Sequence, residues 1–151
     1  MKLHEIIPGL YIRGAFAHIP LERKREILLS KGIKAILCTV KSKVDVELSR
    51  EAWLAYHLIP LPDGKRVPIE QYDQAVDCAI NYLRRQGAVL VHCVAGRNRS
   101  GLVAALVVRQ LLGVSGKVAC AMVRKARPGA LANMAFEQYL CSLSAPEKIS
   151  T

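Results

Sequence analysis

The sequence predicts an α/β domain: a central, mostly parallel twisted sheet flanked by helices. Three observations carry that expectation. Short, wholly apolar runs alternate with amphipathic segments along the chain, without an internal repeat or a linker that would open a second domain. The 151 residues are 52% hydrophobic yet only 5% aromatic, so Leu, Ile, Val and Ala must build the core. Finally, one glycine-bearing loop, "CVAGRNR", joins a wholly apolar strand-like run to a segment that is apolar all round.

The elements follow in order. "HEIIPGLYIRG" reads as two short strands about Pro8-Gly9. "PLERKREILLSKG" reads as a helix with Pro20 near its first turn and Gly32 just past its end. "IKAILCTV" is a buried strand, "DVELSREAW" a short helix and "LAYHLIP" another strand. Pro60, Pro62, Gly64 and Pro68 then mark "LPDGKRVP" as a loop, and Asp63 is its one acid. From Ile69 to Gln86, apolar residues at Ile69, Tyr72, Val76, Ile80 and Leu83 form a helical stripe closed by Gly87. "AVLVH" is a fully apolar strand, and "SGLVAALVVRQLLG" a central buried helix ending at Gly113. Two more helices, "VSGKVACAMVRKARPG" and "ANMAFEQYLCSL", are divided at Arg127, Pro128 and Gly129. The expected layout is one domain over residues 1–143 with a frayed tail over 144–151.

Charge narrows the partners without naming one. Lys and Arg outnumber Asp and Glu by 22 to 12, a formal charge of +10 that favours acidic partners: phosphorylated proteins, RNA, anionic lipid or polyphosphate. The five cysteines are odd in number, lack a CxxC pair and sit mostly in apolar patterns, which points to reduced thiols in a cytoplasmic setting. No metal site is expected, because the four histidines lack ligand spacing relative to the cysteines. No apolar run reaches the ~18 residues of a membrane span.

The chemistry converges on the loop. A strand that turns through glycine into a helix can aim several backbone N–H groups and a positive helix end at one anion, usually a phosphate. Cys93 stands at the mouth of that cradle, where the helix end and a nearby Arg favour the thiolate, a nucleophile. Arg99, six positions on, offers a planar fork for phosphate oxygens, and Ser100 a hydrogen bond to sulfur when sulfur departs. The backbone of Val94, Ala95, Gly96, Arg97, Asn98 and Arg99 is the candidate phosphate-binding shell. His92, just before the nucleophile, is better suited to supporting the loop backbone than to acting as a base. Gly96 and Gly101 have Walker spacing, but Leu102 and Val103 stand where Lys and Ser/Thr are required, so a nucleotide loop fails. Cys78 and Arg84 repeat the Cys-to-Arg spacing inside a glycine-free amphipathic helix, a chance copy.

The run "HCVAGRNRS", His92 to Ser100, resembles the HCxxGxxRS/T signature of the cysteine-dependent protein tyrosine phosphatase superfamily, and the chain looks most like its compact dual-specificity branch. The resemblance extends to "GLYIRGAF", "IKAILCTV", "YHLIPLPD" and "ARPGALANMAFEQYL". Arg13 in the opening motif and Asn98 before the signature Arg depart from the common pattern. The resemblance implies a general acid about 30 residues before the Cys, a place Asp63 fills, and an Asn bracing the phosphate loop, matched by Asn133, which is equally suited to capping the helix after it. It implies hydrolysis of phosphate monoesters, phosphotyrosine with phosphoserine or phosphothreonine, through a cysteinyl phosphate and without a cofactor.

Other readings stay open. "GRNRS" is similar to the GxNRT of RNA 5′-triphosphatases, and a basic protein suits RNA, although Asp63 and Ser100 favour monoesters. Phosphoinositide or other phospholipid hydrolysis is a third option. A binding-only module that captures phosphorylated partners is a fourth, disfavoured because Cys93, Arg99 and Asp63 are all present.

Overall fold

The computed structural model describes residues 2–16, 18–41 and 45–147. Among the described residues, five strands form one sheet: β1 (His4–Ile7), β2 (Leu10–Arg13), β3 (Ile33–Cys38), β4 (Ala55–Leu58) and β5 (Ala88–His92), in the order β1-β2-β5-β3-β4. Only β1 runs against its neighbour, because Pro8 and Gly9, the latter at φ 88°, turn the chain straight back into β2. The other pairings are parallel, so each connection crosses a face of the sheet. Five helices make those crossings or close the fold: α1 (Leu21–Ser30), α2 (Ile69–Arg84), α3 (Arg99–Leu112), α4 (Gly116–Ala126) and α5 (Met134–Cys141).

The central strand explains the apolar run. All five residues of β5 are buried, because its two faces meet different layers. Val89 and Val91 share a cluster with Leu10, Ile12 and the helices α2 to α5, whereas Ala88 and Leu90 join Tyr11, Phe16, Leu28 and Ile36 beneath α1. Helix α3 is buried from Ser100 through Val108, as its all-round apolar sequence requires. In register, Arg13 of β2 and Cys38 of β3 both pair with His92 of β5, so three carboxyl ends finish side by side beneath the loop that follows. Ligands of parallel sheets gather at such an edge.

Two elements differ from the sequence expectation. Helix α2 closes on Gln86, at φ 60°, rather than on Gly87. The Gln86 N–H donates to Leu83 O (3.0 Å) and the Gly87 N–H to Tyr82 O (2.9 Å), a Schellman motif whose left-handed residue comes one position earlier. The short helix in "DVELSREAW" shrinks to one 3₁₀ turn, Leu48–Arg50, started by Asp45 Oδ1 accepting from the Leu48 N–H (3.2 Å) and ended where Glu51 turns extended. Asp45 is itself buried in an ion pair with Lys24 of α1. Residues 143–147 have no regular structure, and Ser144 O accepts from Arg109 Nε (2.8 Å); positions 148–151 of the expected tail lie outside the described residues. Among the described residues, no helix is long and apolar enough to cross a membrane.

Candidate active site

The loop after β5 is shaped by close backbone contact with the end of β2. Gly96 sits at φ 68°, and a Cβ there would fall 2.4 Å from Gly14 N and 2.6 Å from the Arg13 carbonyl carbon. Gly14 answers from the other side, where a Cβ would meet Val94 O at 2.7 Å. Two hydrogen bonds hold the seam: Cys93 N–H to Arg13 O (3.3 Å) and Ala15 N–H to Val94 O (2.9 Å). Neither glycine can carry a side chain without moving backbone. The need for Gly14 appears only once β2 lies beside β5, and its sequence signal was its place directly after the strand.

Around the sulfur the geometry is compact. The Gly96 N–H donates to Cys93 Sγ (3.2 Å), and Ser100 Oγ lies 3.3 Å from the same atom. Cys93 is 2% exposed and Ser100 fully buried. Asn98 occupies the N-cap position of α3, yet its side chain makes no capping bond, which leaves the positive helix end to face the loop. Arg99 opens the helix, and its buried Nε has no hydrogen-bond partner among the described residues. Such an orphaned guanidinium donor calls for an anion. Val94, Ala95 and Arg97 are exposed, Gly96 buried and Asn98 half-buried, so the shell opens outward above the sulfur.

The strand order brings Asp63 to this loop. Its Oδ2 accepts from Asn98 Nδ2 (3.0 Å) and its Oδ1 from Asn133 Nδ2 (2.7 Å), which also donates to Gly64 O (2.8 Å). The Asn133 N–H in turn donates to Asn98 Oδ1 (3.0 Å). Asn133 caps α5 as well, its Oδ1 accepting from the Ala135 and Phe136 N–H groups at 2.9 and 3.3 Å. The side chain thus caps α5 through Oδ1 and holds the Asp63 loop through Nδ2, while its contact with the loop after β5 is made by the backbone N–H.

Tyr72 is the supporting residue that sequence reasoning missed, because it reads as one more member of the α2 stripe. Its hydroxyl donates to Pro62 O (3.0 Å) and so anchors the Asp63 loop from below, while its ring meets Phe136 edge-on with centroids 5.6 Å apart. Burial, and then the Asp63 charge, push the phenol well above its ordinary pKa; Arg99 opposes that shift and Cys93 adds to it. All three candidate functional groups are thus felt at one buried hydroxyl.

His92 is fully buried, with Phe16 edge-on at 5.3 Å. Its backbone O accepts from both the N–H (3.1 Å) and Oγ1 (2.9 Å) of Thr39, a second support with no sequence signal. Neither ring nitrogen has a partner at good hydrogen-bond geometry among the described residues, and the Cys93 backbone gives limited polar support. Burial pulls its pKa down to about 4 from 6.5. A lowered His pKa means that the unfolded chain takes up the proton first, so the stability held above pH 6.5 drains away as pH falls toward 4. Urea unfolding at pH 7 and pH 5 should therefore show a loss of about 2 kcal/mol in the wild type that His92→Gln largely lacks.

The rim arginines separate into two kinds. Arg124 is structural, tied to Glu137 and to the carbonyls of Ala130 and Leu131. Arg127 reaches the loop itself, donating to Ala95 O (3.4 Å), and Arg97 stays exposed while its backbone O accepts from the Leu131 N–H (3.0 Å).

Fold and site together define a class: an α/β protein with a buried cysteine at the base of a glycine-turned loop that enters a helix, and a carboxylate tied to that loop. The chain belongs to the dual specificity phosphatase catalytic-domain family, whose sequence model matches residues 20–145. It is 28% identical over 142 residues to "MAP kinase phosphatase with leucine-rich repeats protein 3" of Dictyostelium discoideum, covering 93% of this chain. It is 29% identical over 138 residues to human "Dual specificity protein phosphatase 14", covering 90% of this chain. The chain spans 16% of the first relative's length and 66% of the second's. A mouse putative dual specificity phosphatase, solved with zinc tungstate, has the same fold at a TM-score of 0.78 and 24% identity, over 93% of this chain and 84% of that one.

Proposed function

We propose that the chain is a cysteine-dependent protein phosphatase that hydrolyses phosphotyrosine, together with phosphoserine and phosphothreonine, on phosphorylated proteins. The observation that carries this reading is the set around Cys93 Sγ: the Gly96 N–H at 3.2 Å, Ser100 Oγ at 3.3 Å, and, at the head of α3, the Arg99 Nε that has no partner among the described residues. Sulfur sits beside the Gly96 N–H at the head of α3, where backbone donors can face an incoming phosphate.

The reaction has two steps. Cys93 attacks phosphorus in line, the P–O bond to the alcohol or phenol breaks, and Asp63 gives the departing oxygen a proton. Water then attacks the cysteinyl phosphate while the Asp63 carboxylate takes its proton. The S–P bond breaks, and a hydrogen bond from Ser100 Oγ supports the leaving sulfur. Arg99 and the loop amides from Val94 to Arg99 hold the equatorial oxygens through both steps. His92, buried and neutral, keeps the loop in place, and Asn133 braces Asp63. No step calls for a metal. The catalytic domain is proposed to span residues 1–143, and the dependence on a reduced thiol suits the cytoplasm.

Asp63 also separates this reading from hydrolysis of RNA 5′-triphosphates, where phosphate leaves well without a general acid. The Asn98 side chain that suggested RNA is engaged with Asp63 and Asn133, which gives it work inside a monoester site. The family supports a protein substrate over lipid phosphate and over binding without turnover. The test is steady-state release of phosphate from p-nitrophenyl phosphate and from phosphotyrosine and phosphothreonine peptides in EDTA. Turnover of the monoesters undiminished by EDTA is expected. Inertness toward all three, with γ-phosphate released from triphosphate RNA, would overturn the proposal.

A further inference from the structure

We infer that Asn98 is a positioning residue that latches the Asp63 loop onto the phosphate loop and so fixes the general acid relative to Arg99. The inference rests on the phosphatase reading above. Asp63, Asn98 and Asn133 close a ring of hydrogen bonds although they lie 35 and 70 residues apart in the chain. Asn98 Nδ2 donates to Asp63 Oδ2 (3.0 Å), Asn133 Nδ2 donates to Asp63 Oδ1 (2.7 Å), and the Asn133 N–H donates to Asn98 Oδ1 (3.0 Å).

The ring explains three features at once. Asn is a favoured N-cap, yet Asn98 makes no capping bond, because both ends of its amide are spent on Asp63 and Asn133. That leaves the first amides of α3 for phosphate. The position also demands a donor and an acceptor on one short planar side chain. An Asp would oppose the Asp63 charge, a Ser lacks the second arm, and an apolar residue would orphan both partners. Lastly, Asn98 immediately precedes Arg99, so the latch joins the group that protonates the leaving oxygen to the group that grips the phosphate. Asn133 ties the same carboxylate to the N-terminus of α5, a rigid second anchor.

A latch of this kind acts through Asp63 alone, and that makes it separable from a general structural role. Asn98→Ala should lower kcat on phenyl phosphate, a poor leaving group, by about 10–100-fold. On p-nitrophenyl phosphate kcat should fall less than about threefold, with KM on both esters also within about threefold. Added to Asp63→Asn, Asn98→Ala should cost nothing further, since the two share one interaction. Asn133→Ser keeps an α5 cap but loses the donor to Asp63, and should show the same leaving-group dependence without relying on the folding of the first variant.

Equal losses on both esters, or an additive loss in the double variant, would overturn the latch. Asp63→Asn alone distinguishes the two levels of failure. If it shows no leaving-group dependence, the general-acid reading falls and the latch with it. If it does, while Asn98→Ala and Asn133→Ser do not, the latch alone falls.

Discussion

Cys93→Ser is expected to lower kcat on every phosphate monoester by at least about 10⁴-fold while oxyanion binding persists. The substitution changes one atom at a site that is 2% exposed, so packing and the turn at Gly96 should survive it. What is lost is the nucleophile. A serine hydroxyl in the same place is a far weaker acid and a poorer nucleophile than a thiol. The proposed phosphate shell, by contrast, is backbone and Arg99, none of it altered. Calorimetric titration with a phosphotyrosine peptide should therefore show binding by the variant within a few-fold of the wild-type KM. Substantial residual turnover in Cys93→Ser would mean that sulfur is not the attacking atom.

The second large effect is conditional, and the condition is its diagnostic value. Asp63→Asn should reduce kcat by about 10²–10⁴-fold on phenyl phosphate or a phosphotyrosine peptide, and by much less on p-nitrophenyl phosphate, whose phenolate departs without help. The replacement amide retains one carbonyl oxygen to accept from Asn98 or Asn133, so the loop has a way to stay in place and the proton is the main thing removed. A uniform loss across leaving groups would instead mark Asp63 as a structural loop residue.

Much of the fold was legible because its signals are local. Pro8-Gly9 makes the β1–β2 turn wherever the strands go, and the apolar run ending at His92 can only be a strand covered on both faces. Gln86 escaped because its left-handed conformation is imposed by the closing hydrogen bonds of α2, which override the preference for glycine. The cluster at the candidate loop was legible for the same local reason: Cys93, Gly96 and Ser100 lie within eight residues of chain, and their spacing brings the Gly96 N–H and Ser100 Oγ to the Cys93 sulfur.

The rest of the site is assembled by topology. Asp63 reached the candidate set through its Pro/Gly loop and the family resemblance, but its contact with Asn98 depends on the loop after β4 and the loop after β5 meeting at one sheet edge. Gly14, Thr39 and Tyr72 each contribute a backbone approach or a hydrogen bond that spacing does not encode. Asn98 was visible as a departure from the family pattern. Only the ring with Asp63 and Asn133 gives that departure a physical meaning.

The proposed covalent phosphoryl intermediate on Cys93 can be caught by acid quenching during rapid turnover of p-nitrophenyl phosphate, followed by peptide mass mapping. One phosphoryl group is expected on the peptide that carries Cys93, formed in a burst with the first equivalent of p-nitrophenol and absent from Cys93→Ser. Turnover without that adduct, or an adduct on any other residue, would contradict it.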